Sequence, residues 1–141
     1  EISNFAKPHL RCRHNMNYWR RGEYLGVGAG AHSHYNSRRF ANTPDIALYI
    51  QGVNNRKLIL SEDICLSRED RLEESIFLGL RLNEGIDISE LSKEFGTELE
   101  SRINKKLHMF ISQELIERNG TVIRLTEKGM DFANAIIVEL I

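Results

Sequence analysis

DISELSKEFGTELESRINKKLHMFISQELIERNGTVIRLTEKG, residues 87–129, carries the clearest architectural signal in this 141-residue chain. Asp87 and Glu90 stand at capping-box spacing and predict a short helix over DISELSKEF. Thr97 and Glu100 repeat that spacing and open a longer helix, TELESRINKKLHMFISQEL. LIERNGTVIRL reads as a hairpin turning on Asn119-Gly120, the pair best suited to a type I′ turn. TEKGMDFANAIIVELI reads as a last helix capped by Thr126. Helix, helix, two-stranded wing, helix is the order of a winged-helix module.

Upstream of that module, SREDRLEESIFLGLRL is a strong helix. Ser67 and Asp70 cap it, and Leu72, Ile76 and Leu80, with Phe77, form an apolar stripe. NNRKLILSEDICLS is a connector, and a domain boundary falls near residue 61. NTPDIALYIQGVNN predicts a helix with Thr43 as N-cap and Pro44 in its first turn. Ile46, Tyr49, Ile50 and Val53 share one face. EYLGVGAGAHSHY reads as a strand packed closely on its neighbours, because its small residues leave little side chain to bury. EISNFA reads like the end of a strand, and the chain as the C-terminal piece of a longer protein.

Composition bounds the function. At 41% apolar and 28% charged, the chain is of ordinary globular type. No apolar run reaches the ~20 residues needed to span a bilayer. Cys12 and Cys65 form no zinc-binding pattern, and two lone cysteines without a visible secretory signal point to the cytoplasm. The net charge of −1 hides an asymmetry. Residues 1–60 hold nine Lys/Arg against three Asp/Glu, and residues 61–141 hold ten against seventeen. An anionic ligand therefore meets the first part. A DNA-binding winged helix, using Arg102, Lys105 and Lys106, is the alternative functional class, but an acidic module is poorly built for phosphates.

Residues 11–35, RCRHNMNYWRRGEYLGVGAGAHSHY, concentrate the chemistry. The glycines match neither G-x-G-x-x-G nor a P-loop, and suit either tight strand packing or a ligand floor. His14 is a candidate metal ligand, Tyr18 and Trp19 are flat walls, and Arg11, Arg13, Arg20 and Arg21 can pair with carboxylates. The set suits a tetrapyrrole with propionates. It also suits single-stranded nucleic acid, or an ordinary turn with Trp19 in the core.

EISNFAKPHLRCRHNMNYW followed by EYLGVGAGAHS is similar to the C-terminal part of radical S-adenosylmethionine proteins related to oxygen-independent coproporphyrinogen III oxidase. HNxxYW, here His14 to Trp19, resembles the heme-chaperone (HemW) branch rather than the oxidase proper, and the likeness continues through RFANTPDIALYI and EESIFLGLRLNEGID. The resemblance implies an α+β chain: terminal strands and helix of an incomplete (β/α) barrel over 1–60, then a winged-helix-like HemN C-terminal-type domain over 61–141. It implies heme binding by His14, Asn15, Tyr18 and Trp19, with His14 on the heme iron. Gly28, Gly30, Ala31 and His32 would lie on the S-adenosylmethionine side. A parent of this kind binds a [4Fe–4S] cluster through three cysteines absent here, so the piece alone is expected to be inactive as an enzyme. Its expected partners are a tetrapyrrole and a heme-acceptor protein. Cut from a barrel, it is expected to form a homo-oligomer through exposed strand edges.

Overall fold

A computed structural model describes residues 1–141. They divide into two compact units. One comprises residues 22–71, and the other joins residues 1–21 to residues 72–141. A cut at residue 61 falls inside a strand rather than between these units.

In residues 22–71, β1 (His32–Tyr35), β2 (Arg38–Asn42) and β3 (Leu60–Cys65) form an antiparallel sheet in the order β1-β2-β3. The β1–β2 turn is Asn36-Ser37, with φ of 51° and 57°, the two left-handed positions of a type I′ hairpin. Strands joined by βα units pair parallel, and that pairing does not form within these residues. The glycine stretch departs from the strand reading. Only His32–Tyr35 is strand, and Tyr24 joins it by a single bridge to His34. Left-handed Gly28 (φ 115°) and Gly30 (φ 69°) turn the backbone before a ladder can form.

Helix α2 (Ile46–Asn54) lies between β2 and β3 and starts later than Thr43 and Pro44 suggest. Its N-cap is Asp45, whose carboxylate accepts from the Leu48 N–H at 3.0 Å. The buried residues of this unit are small or polar, namely Ser33, His34, Ala41, Asn42, Thr43 and Gly52.

The other unit holds the apolar core. Helix α3 (Arg68–Leu80) begins with the expected capping box. The Ser67 N–H donates to Asp70 Oδ2 at 2.8 Å, and the Asp70 N–H donates to Ser67 Oγ at 3.1 Å. Its stripe of Leu72, Ile76 and Leu80 is buried, while Phe77 is exposed. Helix α4 (Ile88–Phe95) is capped by Asp87, which accepts from the Ser89 N–H at 2.9 Å. Glu90 completes no box there and pairs with Lys93 instead. Helix α5 (Glu98–Ser112) buries Leu99, Ile103, Leu107 and Phe110 on one face. Thr97 has helical backbone angles and caps nothing with its side chain.

The hairpin is β5 (Ile116–Asn119) and β6 (Val122–Leu125). Asn119 pairs with Val122, so the two turn residues are Gly120 and Thr121. Only Gly120 is left-handed, at φ 61°, which makes this a type II′ turn, one position later than a type I′ turn on Asn119-Gly120. A short strand, β4 (Ile86–Asp87), adds to β6 and gives the sheet order β4-β6-β5. Thr126 caps α6 (Glu127–Asp131) as expected, accepting from the Gly129 N–H at 3.0 Å. The last helix then breaks at Phe132 and resumes as α7 (Ala133–Leu140). EISNFA forms no strand. Ile2 and Ser3 lie in a turn, and the Ile2 N–H donates to the Arg81 carbonyl at 3.1 Å. No helix is long and apolar enough to cross a membrane.

Candidate functional site

HNMNYW folds into a short helix, α1 (Arg13–Trp19), which buries no residue completely. One helical turn separates His14 from Tyr18 and Asn15 from Trp19, so each pair shares a face. The Tyr18 hydroxyl and His14 Nε2 are hydrogen-bonded at 2.8 Å, with their rings edge to face at 77°. Both side chains are exposed.

On the other face, Asn15, Met16 and Trp19 line a cavity of about 270 Å³ with Phe5, Leu10, Arg11, Cys12, Leu82 and Glu84. The Trp19 Nε1–H is buried without a hydrogen-bond partner. Arg81 supports the indole from behind. Its guanidinium lies 5.8 Å from the Trp19 ring and 5.4 Å from the Phe77 ring, and it donates to Asn134 Oδ1 at 3.1 Å.

Glu84 bridges two arginines. One carboxylate oxygen pairs with Arg11, and the other accepts from Arg20 at 3.0 Å. These arginines bracket α1, Arg11 two positions before its first residue and Arg20 directly after its last. The two guanidiniums, Arg11 first, hold the Glu84 carboxyl below its ordinary range. Arg21 turns elsewhere and donates to Ser75 Oγ at 2.6 Å and to Glu94 Oε1 at 2.7 Å.

Gly28, Gly30, Ala31 and His32 lie in the 22–71 unit. Their loop is held from within. Asn42 Nδ2 donates to the Gly28 carbonyl at 2.9 Å, and the Gly28 N–H donates to the Tyr49 hydroxyl at 3.1 Å. The Gly30 N–H donates to the Thr43 carbonyl at 3.0 Å, and the Gly26 N–H to Ser33 Oγ at 3.0 Å. A Cβ on Gly28 would meet open space. His32 is exposed, with Nδ1 3.9 Å from Glu62 Oε2.

HNxxYW and the glycine loop are thus each assembled within their own unit. Periodicity gives no hint of Glu84 as the partner of Arg11 and Arg20, or of Asn42 and Tyr49 as the braces of the glycine loop. These contacts join residues far apart in the chain.

Two features bear on the other chemistries. Cys12 and Cys65 are free, exposed and in different units, so these residues do not fit a three-cysteine iron–sulfur cluster. The DNA reading finds no support. Lys106 donates to the Glu139 carbonyl at 2.6 Å near the end of α7, where it satisfies a backbone acceptor. Beside it, Lys105 lines a shallow hollow with Glu100.

Residues 66–132 match the HemN C-terminal domain family. The chain is 31% identical over 134 residues to the heme chaperone HemW of Lactococcus lactis subsp. lactis (strain IL1403), covering 95% of this chain and 35% of that protein. It is 29% identical over 136 residues to the heme chaperone HemW of Bacillus subtilis (strain 168), covering 96% and 36%. It is also 40% identical over 96 residues to the mitochondrial radical S-adenosyl methionine domain-containing protein 1 of Danio rerio, covering 61% and 21%. Among solved structures, coproporphyrinogen III oxidase (HemN) from Escherichia coli, a radical SAM enzyme, shares the fold. The TM-score is 0.65 at 20% identity over 84% of this chain and 28% of that one. The chain spans about a third of the length of the HemW relatives it matches. With a HemN C-terminal domain at 66–132 and similarity running through the HNxxYW helix, the chain is similar along nearly its whole length to the C-terminal part of the HemW proteins, and it shares the fold of the corresponding part of coproporphyrinogen III oxidase (HemN).

Proposed function

We propose that this chain is the tetrapyrrole-handling C-terminal part of a heme chaperone, and that α1 forms one wall of the heme site. Heme is the cargo here: a planar ring with two carboxylates and an iron that accepts a nitrogen ligand. The observation that carries the reading is the cavity at the foot of the exposed His14 helix, lined by Asn15, Met16 and Trp19, together with the buried Trp19 Nε1–H that has no partner. A buried donor without a partner is costly unless a ligand or water supplies an acceptor. His14 would ligate iron, Tyr18 and Trp19 would flank the ring, and Asn15 would line the cavity beside it. At about 270 Å³ the cavity takes an edge of the macrocycle, not the whole ring.

In a longer parent, residues 1–60 would supply the end of a (β/α) barrel. Gly28, Gly30, Ala31 and His32 would lie toward S-adenosylmethionine, and the winged-helix-like domain would cap that site. The parent would pass heme to an acceptor protein in the cytoplasm. Residues outside this chain would hold the [4Fe–4S] cluster.

Titrating the chain with hemin, followed by Soret absorbance, tests the reading. His14→Ala should lose the ligand-shifted Soret band. An unchanged band removes His14 from the iron.

A further inference from the structure

The Glu84 bridge defines a ligand site more closely. This inference rests on the tetrapyrrole reading and names the residues that recognise the ligand's carboxylate. Glu84 offers one oxygen to each of Arg11 and Arg20, so two guanidiniums from opposite ends of α1 converge on a single carboxylate. Arginine is the side chain best matched to carboxylate recognition. All three side chains are about half exposed, at 54%, 61% and 44%. Ion pairs that wet contribute little and exchange readily.

The bridge also stands between two hollows. Trp19, Leu82 and Glu84 line both the cavity beneath α1 and a broader concavity of about 850 Å³ that includes Arg20, Gly85 and Glu90. Moving Glu84 aside would open one into the other and present two arginines beside the unpaired Trp19 indole.

We infer that Arg11 and Arg20 are a carboxylate-binding pair for a propionate-bearing ligand, and that Glu84 is its internal placeholder, displaced when the ligand's carboxylate arrives. Recognition is then an exchange of one carboxylate for another across the same two guanidiniums, with no net change in the number of ion pairs. The ligand gains the apolar wall of Trp19 and Leu82 in addition.

Metal-free protoporphyrin IX tests the exchange without any contribution from iron ligation. Trp19 is the only tryptophan, so quenching of its emission reads binding at this site directly. Glu84→Gln keeps the shape and removes the competing charge. It should tighten protoporphyrin IX by about two- to fivefold, the scale of one exposed ion pair. It should leave the dimethyl ester, which lacks the carboxylates, unchanged. Arg20→Gln should weaken the free acid toward the affinity of the ester. Equal effects of Glu84→Gln on acid and ester, or no effect on either, would overturn the placeholder role, as would failure of the free acid to quench Trp19. His14→Ala with hemin reports separately on the iron ligand, so failure of either idea shows in its own arm.

Discussion

Tyr18 is hydrogen-bonded at 2.8 Å to Nε2, one of the two ring nitrogens through which His14 would bind iron. Ligation through Nε2 would require that bond to break. Tyr18→Phe keeps the ring beside the imidazole and removes the hydroxyl. With the cost of breaking one hydrogen bond gone, hemin affinity should rise by about two- to tenfold in a Soret titration. A fall in affinity would mean that the hydroxyl orients His14 rather than masking it. Acid sensitivity also begins with single residues. The Ser67 hydroxyl and backbone hold Asp70 below the ordinary carboxylate range, and Ser89 does the same for Asp87. A depressed folded-state pKa contributes stability that is complete above the unfolded value, about 3.9, and is lost as pH falls through the folded value. Urea midpoints measured downward from pH 6 should therefore drop below about pH 4. A double Asp70→Ala, Asp87→Ala variant should start lower and show a shallower acid slope.

At the scale of elements, the features that the sequence announces correctly are those governed by local rules. The Ser67–Asp70 box, the Thr126 cap and the stripe of Leu72, Ile76 and Leu80 depend on neighbours within two turns of helix. The departures have non-local causes. β4 exists because Ile86 finds Ile123 across the sheet, a pairing that no local pattern announces. Thr97 has capping chemistry but stands in helical backbone after Gly96, so its hydroxyl is misplaced for the role. The glycine stretch bends away from strand geometry because Asn42, Tyr49 and Ser33 satisfy its backbone groups in place of a ladder. The candidate site is legible to the same degree: HNxxYW can be named, but Glu84 and Arg81 reach it from more than sixty positions away. Where α6 follows the hairpin, packing is tight enough for a single atom to matter. A Cβ on Gly129 would stand 1.9 Å from the Leu115 carbonyl oxygen, and that oxygen also accepts from the Thr126 N–H at 3.1 Å. Gly129→Ala should cost about 1–3 kcal/mol by overpacking, despite the better helix propensity of alanine. Equal stability in chemical denaturation would show that the backbone there yields freely.

The whole molecule is unevenly buried. The helical unit owns an apolar core of eighteen residues, from Leu72 to Leu140, while residues 22–71 bury mostly small and polar groups. On α2, Ile46, Ile50 and Val53 share one face and stay 68%, 53% and 56% exposed. Leu25 and Val27 are also exposed. An exposed apolar helix face such as that of α2 drives association when nothing covers it. The strand edges are the weaker route. β3 carries Glu62 and Asp63, and charges on an edge strand oppose pairing with another chain. We therefore predict that the isolated chain self-associates through α2 rather than through β3. Sedimentation should give a mass above that of one chain, rising with concentration. Replacing Ile46, Ile50 and Val53 together by Ser should return it toward monomer, with the helical signal of the other unit intact. A chain that stays monomeric at high concentration would refute the prediction. If the triple variant still associates, the edge strands become the route, and Ile64→Lys on β3 would then be the change that disperses it.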